Sequence, residues 1–259
     1  MIREKLIEKG VGADRKFRWR SQEVSRIEGL SDAVFGFAVT LLVISLEVPK
    51  TFTELMEAMR GFGAFAVSFT LLLFVWYNQY KFFRRYALQD NYTLVLNAML
   101  LFVVLFYVYP LKFLFSFLIS QFTGQGIMVR LPTGTTAKMV EGEDQVITLM
   151  MIFSIGYMAV FALFVLLYGH AYRRRAQLDL NELEVFDTRA DIREAALNVG
   201  IGAISISLAV FGRNASLSGM TYMLCPVVMT THGVMTGKRR RKLEERLGIH
   251  ENAMFEPTT

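Results

Sequence analysis

With one cysteine and three histidines in 259 residues, much chemistry is excluded at the outset. Cys225 has no second cysteine to pair with, so no disulfide forms within the chain, and no Cys/His set exists to hold a metal. There is no HExxH motif, no pair of carboxylates at one membrane depth, and no nucleophile with a histidine nearby. Enzyme readings therefore have nothing to work with, and no cofactor is implied. The short alternating segments that mark a membrane β-barrel are missing. Internal repeats and a second domain are missing too, and the charged start MIREKLIEKGVGADRKFRWR has no apolar core of a cleavable signal.

Apolar sequence is what the chain has in excess. It is 53% hydrophobic with a mean hydropathy of +0.37, and it carries 22 Phe and 14 Met. Soluble domains run at about 45–50% apolar. The excess falls in six runs, at about 28–48, 61–81, 92–119, 146–170, 194–212 and 216–236. Each approaches or exceeds the roughly 20 residues that cross about 30 Å of hydrocarbon. Continuous runs of that length predict helices, because lipid leaves no other way to satisfy the backbone. The expectation is an all-α, polytopic membrane protein with six transmembrane helices.

Charge orients it. Of the 28 Lys and Arg, 22 lie in the segment up to Arg26, the 81–90 and 171–193 connections and the C-terminal tail. The opposite connections hold only Lys50, Arg60, Arg130, Lys138 and Arg213. This alternation predicts that both termini are cytoplasmic. Each basic cluster abuts an apolar run, so membrane topology accounts for the charge and nucleic acid is not implied. The divisions expected are a cytoplasmic segment 1–25, a membrane domain 26–236 and a basic tail 237–259, whose KRRRKLEERLG stretch favours anionic lipid.

Local signals refine this outline. A short helix is expected around Arg3 to Lys9. An amphipathic outer helix is expected at 50–60, capped by Thr53, with Phe52, Met56 and Met59 on the membrane surface. Pro110 is expected to kink the third run or end its first part. Lys112 is expected to snorkel outward. The 120–145 connection, with Glu141, Glu143 and Asp144, reads as flexible, and 171–193 as a cytoplasmic turn. Ser154-Ile155-Gly156-Tyr157 faintly resembles a TVGYG filter but sits inside a continuous apolar helix, where such a filter cannot form. In the fifth run, Ala196/Gly200 and Ala203/Ser207 have the spacing for close helix packing. Cys225 and His232 read as structural.

The first run, RIEGLSDAVFGFAVTLLVISLE, carries the most information. Asp32 costs about 2.5–3.5 kcal/mol near hydrocarbon even on a mild scale, so it faces protein or water. Arg26 is six residues away and cannot be its neighbour on one helix. Asn78 and Gln79, at the inner end of the second run beside the belt of Trp76, Tyr77 and Tyr80, lie at a similar depth. At about 100° per residue, Ala33, Phe37, Thr40, Ile44 and Glu47 share one face. Placed inward in a symmetric oligomer, that face stacks an apolar ring, a hydroxyl ring and an acidic mouth, the parts of an ion path. The same stripe also suits packing in a helix bundle. A cation- or proton-coupled transporter using Asp32 is a third reading, although no inverted repeat is visible.

Arg26-xxx-Leu30-Ser31-Asp32, the AVFGFAVTLLV that follows, Pro49, Trp76-x-Asn78 and Pro110 together resemble the transmembrane protein 175 family, potassium channels of lysosomes and bacteria. The resemblance spans about 20–236 and is closest to the prokaryotic form, in which four six-helix chains make a homotetramer around a pore. It implies that potassium ions pass along the first helix without a TVGYG filter. Phe37 then stands at the hydrophobic gate, and Thr40 at the threonine that makes transient potassium contact. Arg26, Ser31, Asp32, Trp76, Asn78 and Gln79 match the network tying the first helix to its neighbours. Leu30 departs from the signature Phe, Gln79 replaces the usual prokaryotic His and removes a titratable partner, and Phe37 is larger than the usual Ile or Leu. A non-conducting or regulatory member of the family is the alternative.

Overall fold

The structure is a computed structural model and describes residues 17–21, 23–44, 50–52, 55–56, 59, 61–123, 128–130 and 136–248. Helix α1 (Arg26–Ile44) is followed by α2 (Phe62–Tyr86), α3 (Asn91–Thr123), α4 (Glu143–Arg173), α5 (Glu182–Val210), the short α6 (Ala215–Met220), a 3-10 turn (Thr221–Met223) and α7 (Leu224–Leu247). Of the described helices, α2, α3, α4 and α5 are long and apolar enough to cross a membrane.

The long helices alternate in direction. Asp32 meets Trp76 while Glu28 meets Arg84, so α1 and α2 are antiparallel. Ser31 meets Asn97 while Lys112 meets Leu42, so α1 and α3 are parallel. By the same reasoning α4 opposes α3, α5 opposes α4, and α7 opposes α5. One end of the bundle therefore gathers the starts of α1, α3 and α5 and the ends of α2, α4 and α7. The core runs through the bundle on Phe35, Ala38, Leu42, Phe82, Leu100, Val104, Phe164 and Leu167.

That end is closed by ion pairs. Phe17 is buried in the core, and Arg20 binds Glu184 at 2.6 Å as well as the Leu178 and Arg85 carbonyls. Arg85 and Lys81 share Asp191, and Arg240 reaches Asp187. Residues 17–21 are thus packed onto the helix ends.

Several expectations are corrected. The sixth run is not one uniform α-helix: Asn214 caps α6, a 3-10 stretch at Thr221–Met223 tightens the still right-handed helical backbone, and α7 then continues past residue 236 through the basic stretch. Pro226 falls in the first turn of α7, where a missing N–H costs nothing, and Gly248, at φ 65°, ends the helix in the left-handed region. The 171–193 connection shrinks to residues 174–181, because Asn181 and Glu184 form a capping box that starts α5 at Glu182. The 120–145 connection holds an antiparallel pair, β1 (Met128–Arg130) with β2 (Thr136–Lys138). Helix α3 runs through Pro110 to Thr123 without ending there.

Lys112 does not snorkel. Its Nζ donates to the Leu42 carbonyl at 3.0 Å, one of the last carbonyls of α1. Ala196, Gly200, Ala203 and Ser207 lie on the exposed side of α5; Ala195, Gly202, Ser205 and Ala209 make the buried side. The close approach is elsewhere: a Cβ on Gly156 would run into the Tyr107 ring, and one on Gly202 into Met158. Phe52, Leu55, Met56 and Met59 are helical and exposed, whereas Thr53 and the expected Arg3–Lys9 helix lie outside the described residues.

Candidate functional site

Helix α1 starts on a second capping box. Ser25 Oγ accepts from the Glu28 amide, and Glu28 Oε1 accepts from the Ser25 amide and hydroxyl. Arg84 lies 3.5 Å from the other Glu28 oxygen, and its guanidinium rests over Tyr80, which stacks on Trp76. The start of α1 is therefore fixed to the end of α2 by charge and aromatic packing.

One turn further along, the helix has two distinct sides. Ser31, Phe35, Ala38 and Leu42 are buried. Ala33, Phe37 and Thr40 lie on the opposite, exposed side with Gly29, Gly36 and Val43, and Phe37 is 56% exposed. The Thr40 hydroxyl donates to the Phe37 carbonyl at 2.7 Å. Its proton is thereby used within the helix, and its oxygen lone pairs remain for whatever lies beside this face. Ile44 is the last helical residue; its side chain and Glu47 lie outside the described residues.

The signature residues separate into two sets. In one, Trp76 Nε1 donates to Asp32 Oδ1 at 2.8 Å, joining α2 to α1. In the other, Ser31 donates to the Ile27 carbonyl and accepts from Asn97 Nδ2 at 2.9 Å, while Asn97 Oδ1 accepts from Gln79 Nε2 at 3.0 Å. Ser31, Asn97 and Gln79 are all buried, so this chain ties α1, α3 and α2 through a dry core. Asn78 stands apart from both sets: its amide donates to the Phe74 carbonyl. Arg26 is exposed and takes part in none of the described hydrogen bonds or ion pairs.

Sequence reasoning missed Asn97, the hub of the buried set. Its signal was a lone amide within the most apolar run, where a polar side chain needs a partner. Glu28 and Arg84 were missed as well, although Ser25-x-x-Glu28 reads as a capping box.

Comparison with known proteins places this arrangement. The family described as "Endosomal/lysosomal potassium channel TMEM175" matches residues 26–107, which hold α1, α2, the first half of α3 and both hydrogen-bonded sets. A potassium channel of Marivirga tractuosa is 39% identical over 245 residues, covering 92% of this chain and 98% of that one. The crystal structure of a variant of the potassium channel MtTMEM175, in complex with a nanobody fusion, superposes with a TM-score of 0.74 at 37% identity, over 88% of this chain and 100% of the other. The lysosomal potassium-selective channel TMEM175 homologue from Chamaesiphon minutus shares the fold, with a TM-score of 0.53 at 22% identity over 83% and 99%. With a relative this similar over nearly its whole length, and the family match lying on the very helices that carry the signature, the chain belongs to the TMEM175 family.

Proposed function

We propose that this protein is a potassium-selective channel, conducting passively through a homotetrameric pore lined by α1, with Phe37 as an apolar gate and no TVGYG filter. The observation that carries the reading is the division of α1. Its buried side is anchored at both ends, by Ser31–Asn97 and by Leu42–Lys112, and its exposed side presents Ala33, Phe37 and Thr40 in line. A bulky apolar ring excludes water from a narrow path, and hydroxyl oxygens replace part of an ion's hydration. By the helical period of the sequence, Ile44 and Glu47 complete the proposed lining toward an outer mouth. The names of the relatives support potassium as the ion.

In this reading residues 26–236 make the channel domain with six membrane crossings. Segment 1–25 and the tail 237–259 are cytoplasmic, in a prokaryotic plasma membrane. The end of the bundle closed by ion pairs is the inner end, and the exposed Lys238, Arg239, Arg241 and Lys242 of α7 meet anionic lipid there. Ser31, Asp32, Trp76 and Gln79 hold α1 in register rather than touch the ion.

Potassium flux into liposomes holding the purified protein, with sodium and caesium in comparison, tests this. Potassium-selective passive flux that rises in Phe37→Ala is expected. A well-assembled Phe37→Ala protein with unchanged flux removes the gate assignment. Absence of flux in both proteins selects the non-conducting or regulatory reading, and stoichiometric coupling to a second solute selects a transporter using Asp32.

A further inference from the structure

Where α4 ends and α5 begins, three exposed arginines gather around one phenol. The Tyr172 hydroxyl accepts from Arg189 Nε at 3.0 Å and from Arg189 Nη2. The Arg189 guanidinium lies 5.0 Å from the centre of the Tyr172 ring, and that of Arg175 lies 4.8 Å from the same centre. Arg175 also donates to the Tyr172 carbonyl at 3.2 Å. Arg193, one turn further along α5, folds back and donates to the Arg189 carbonyl at 3.2 Å.

No acid offsets this cluster. The carboxylates of this end are engaged with other cations: Asp90 with His170 and Arg174, Asp191 with Lys81 and Arg85, Asp187 with Arg240, and Glu184 with Arg20. Glu194 lines a recess toward α2 and α4. Among the described residues, no carboxylate pairs with Arg175, Arg189 or Arg193. Like charges four residues apart on a helix repel, yet Arg189 and Arg193 stand at that spacing with N–H groups to spare.

The face that carries them continues along α5 as a groove. Arg189, Arg193, Ala196, Gly200 and Ala203 follow at spacings of four, three, four and three, which is one helical face, and all are exposed. Leu197 and Ile204, 40% and 53% exposed, flank the small residues. A Cβ on Gly200 would meet no neighbouring atom within 4 Å, so no other helix of the chain fills the groove. From Arg193 to Ala203 the helix rises about 15 Å, the depth of one leaflet in a hydrocarbon core of about 30 Å.

A cationic head over an apolar groove one leaflet deep is complementary to an amphiphile of opposite charge. Guanidinium groups grip phosphate oxygens in pairs, and an acyl chain fits over small side chains. A second copy laid along the stripe is a poorer occupant. Copies inserted in one membrane share an orientation, and 22 of the 28 Lys and Arg belong to the segments of this end, so like charges would meet. We propose that this face of α5 binds an anionic phospholipid, its phosphate held by Arg189 and Arg193 with Arg175 beside them, and one acyl chain lying over Ala196, Gly200 and Ala203. The site is separate from the basic stretch of α7 and from the face of α1 read as the ion path. It rests on the reading of this end as the inner one only for which leaflet supplies the lipid.

Native mass spectrometry of the full chain in detergent, titrated with phosphatidylglycerol or with phosphatidylcholine of the same acyl chains, tests this. Wild type is expected to retain phosphatidylglycerol in preference. Arg189→Gln combined with Arg193→Gln is expected to weaken that binding about tenfold or more. Lys238→Gln combined with Arg239→Gln removes the same charge from α7 and is expected to weaken it less. Gly200→Leu fills the groove, leaves the charge intact and is expected to weaken it as well. Equal retention of the two lipids by wild type, an equal loss in the α7 variant, or binding unchanged in either the arginine variant or Gly200→Leu overturns the proposal. If Gly200→Leu instead changes the oligomeric mass and keeps the lipid, the stripe belongs to a contact between copies. No step depends on conduction, so an absence of potassium flux bears on the pore alone.

Discussion

At the scale of single residues, what each polar group stabilises depends on whether water can replace its partner. Asn97 is buried and bonded on both sides of its amide, to Ser31 and to Gln79. Asn97→Leu strands the Gln79 amide in a dry core at a cost of about 1–3 kcal/mol. Asp32 is exposed, so loss of its indole partner in Trp76→Phe leaves a carboxylate that water can reach, and the cost is expected nearer the membrane-helix average of about 0.6 kcal/mol. Unfolding of the two variants in detergent checks the ranking, and equal losses would refute it. Lys112 poses a different question, because it holds a carbonyl near the end of α1. Lys112→Met frees that end and is expected to change potassium flux more than unfolding temperature, whereas Lys112→Arg retains a donor and restores flux. A Met variant with wild-type flux would make Lys112 a packing residue only.

At the scale of elements, the ends of helices explain more than their middles. The α2–α3 turn is tied to the end of α4 by Asp90, which accepts from Thr93 at 2.6 Å and meets His170 at 2.9 Å and Arg174 at 3.4 Å. Burial works to raise the Asp90 carboxyl, but Thr93, His170 and Arg174 outweigh it and hold it below its ordinary value. A carboxyl lowered by folding contributes stability above its unfolded pKa, about 3.9, and loses it as pH falls through the lower folded value. Asp90→Asn is therefore expected to be less stable than wild type at neutral pH, with the difference narrowing as pH falls below about 4 and on through the lowered folded value; a gap that does not narrow as the solution is acidified would place the effect outside this ionisation. Such ends were only partly legible in the sequence. Apolar length placed the middles of α2 to α5, because lipid-length runs leave few alternatives. It misjudged α5 and α7, whose helices extend beyond their apolar parts: polar residues such as Glu184 and Arg240 find partners at the bundle end and prolong the helix into water. The small residues Ala196, Gly200, Ala203 and Ser207 do not face a helix of their own chain, since spacing alone does not say which face an intrachain neighbour occupies. That Asp32 turns toward the inner end of the second run was legible because a polar group at membrane depth demands a partner; Ser31 and Trp76 were legible only through the family resemblance, and Asn97 could have been found by the same rule as Asp32.

At the scale of the whole molecule, the question is what covers the exposed side of α1. Four-fold assembly with this side inward leaves Ala33, Phe37 and Thr40 lining a path, while packing against a neighbouring helix hides them. The composition supplies a clean way to tell, because Cys225 is the single native cysteine. Its thiol lies 3.3 Å from the Tyr157 hydroxyl, and Cys225→Ser retains a group able to make that contact. In that background, single cysteines at positions 33, 37 and 40 are expected to react with a small water-borne thiol reagent and to reduce potassium flux on reaction. Cysteines at 35, 38 and 42, on the buried side, are expected to stay unmodified with flux intact. The pattern has the period of one helix face, so no single misfolded variant can mimic it. If position 40 proves as unreactive as position 38, the stripe is an interface between helices and the ion path lies elsewhere in the assembly.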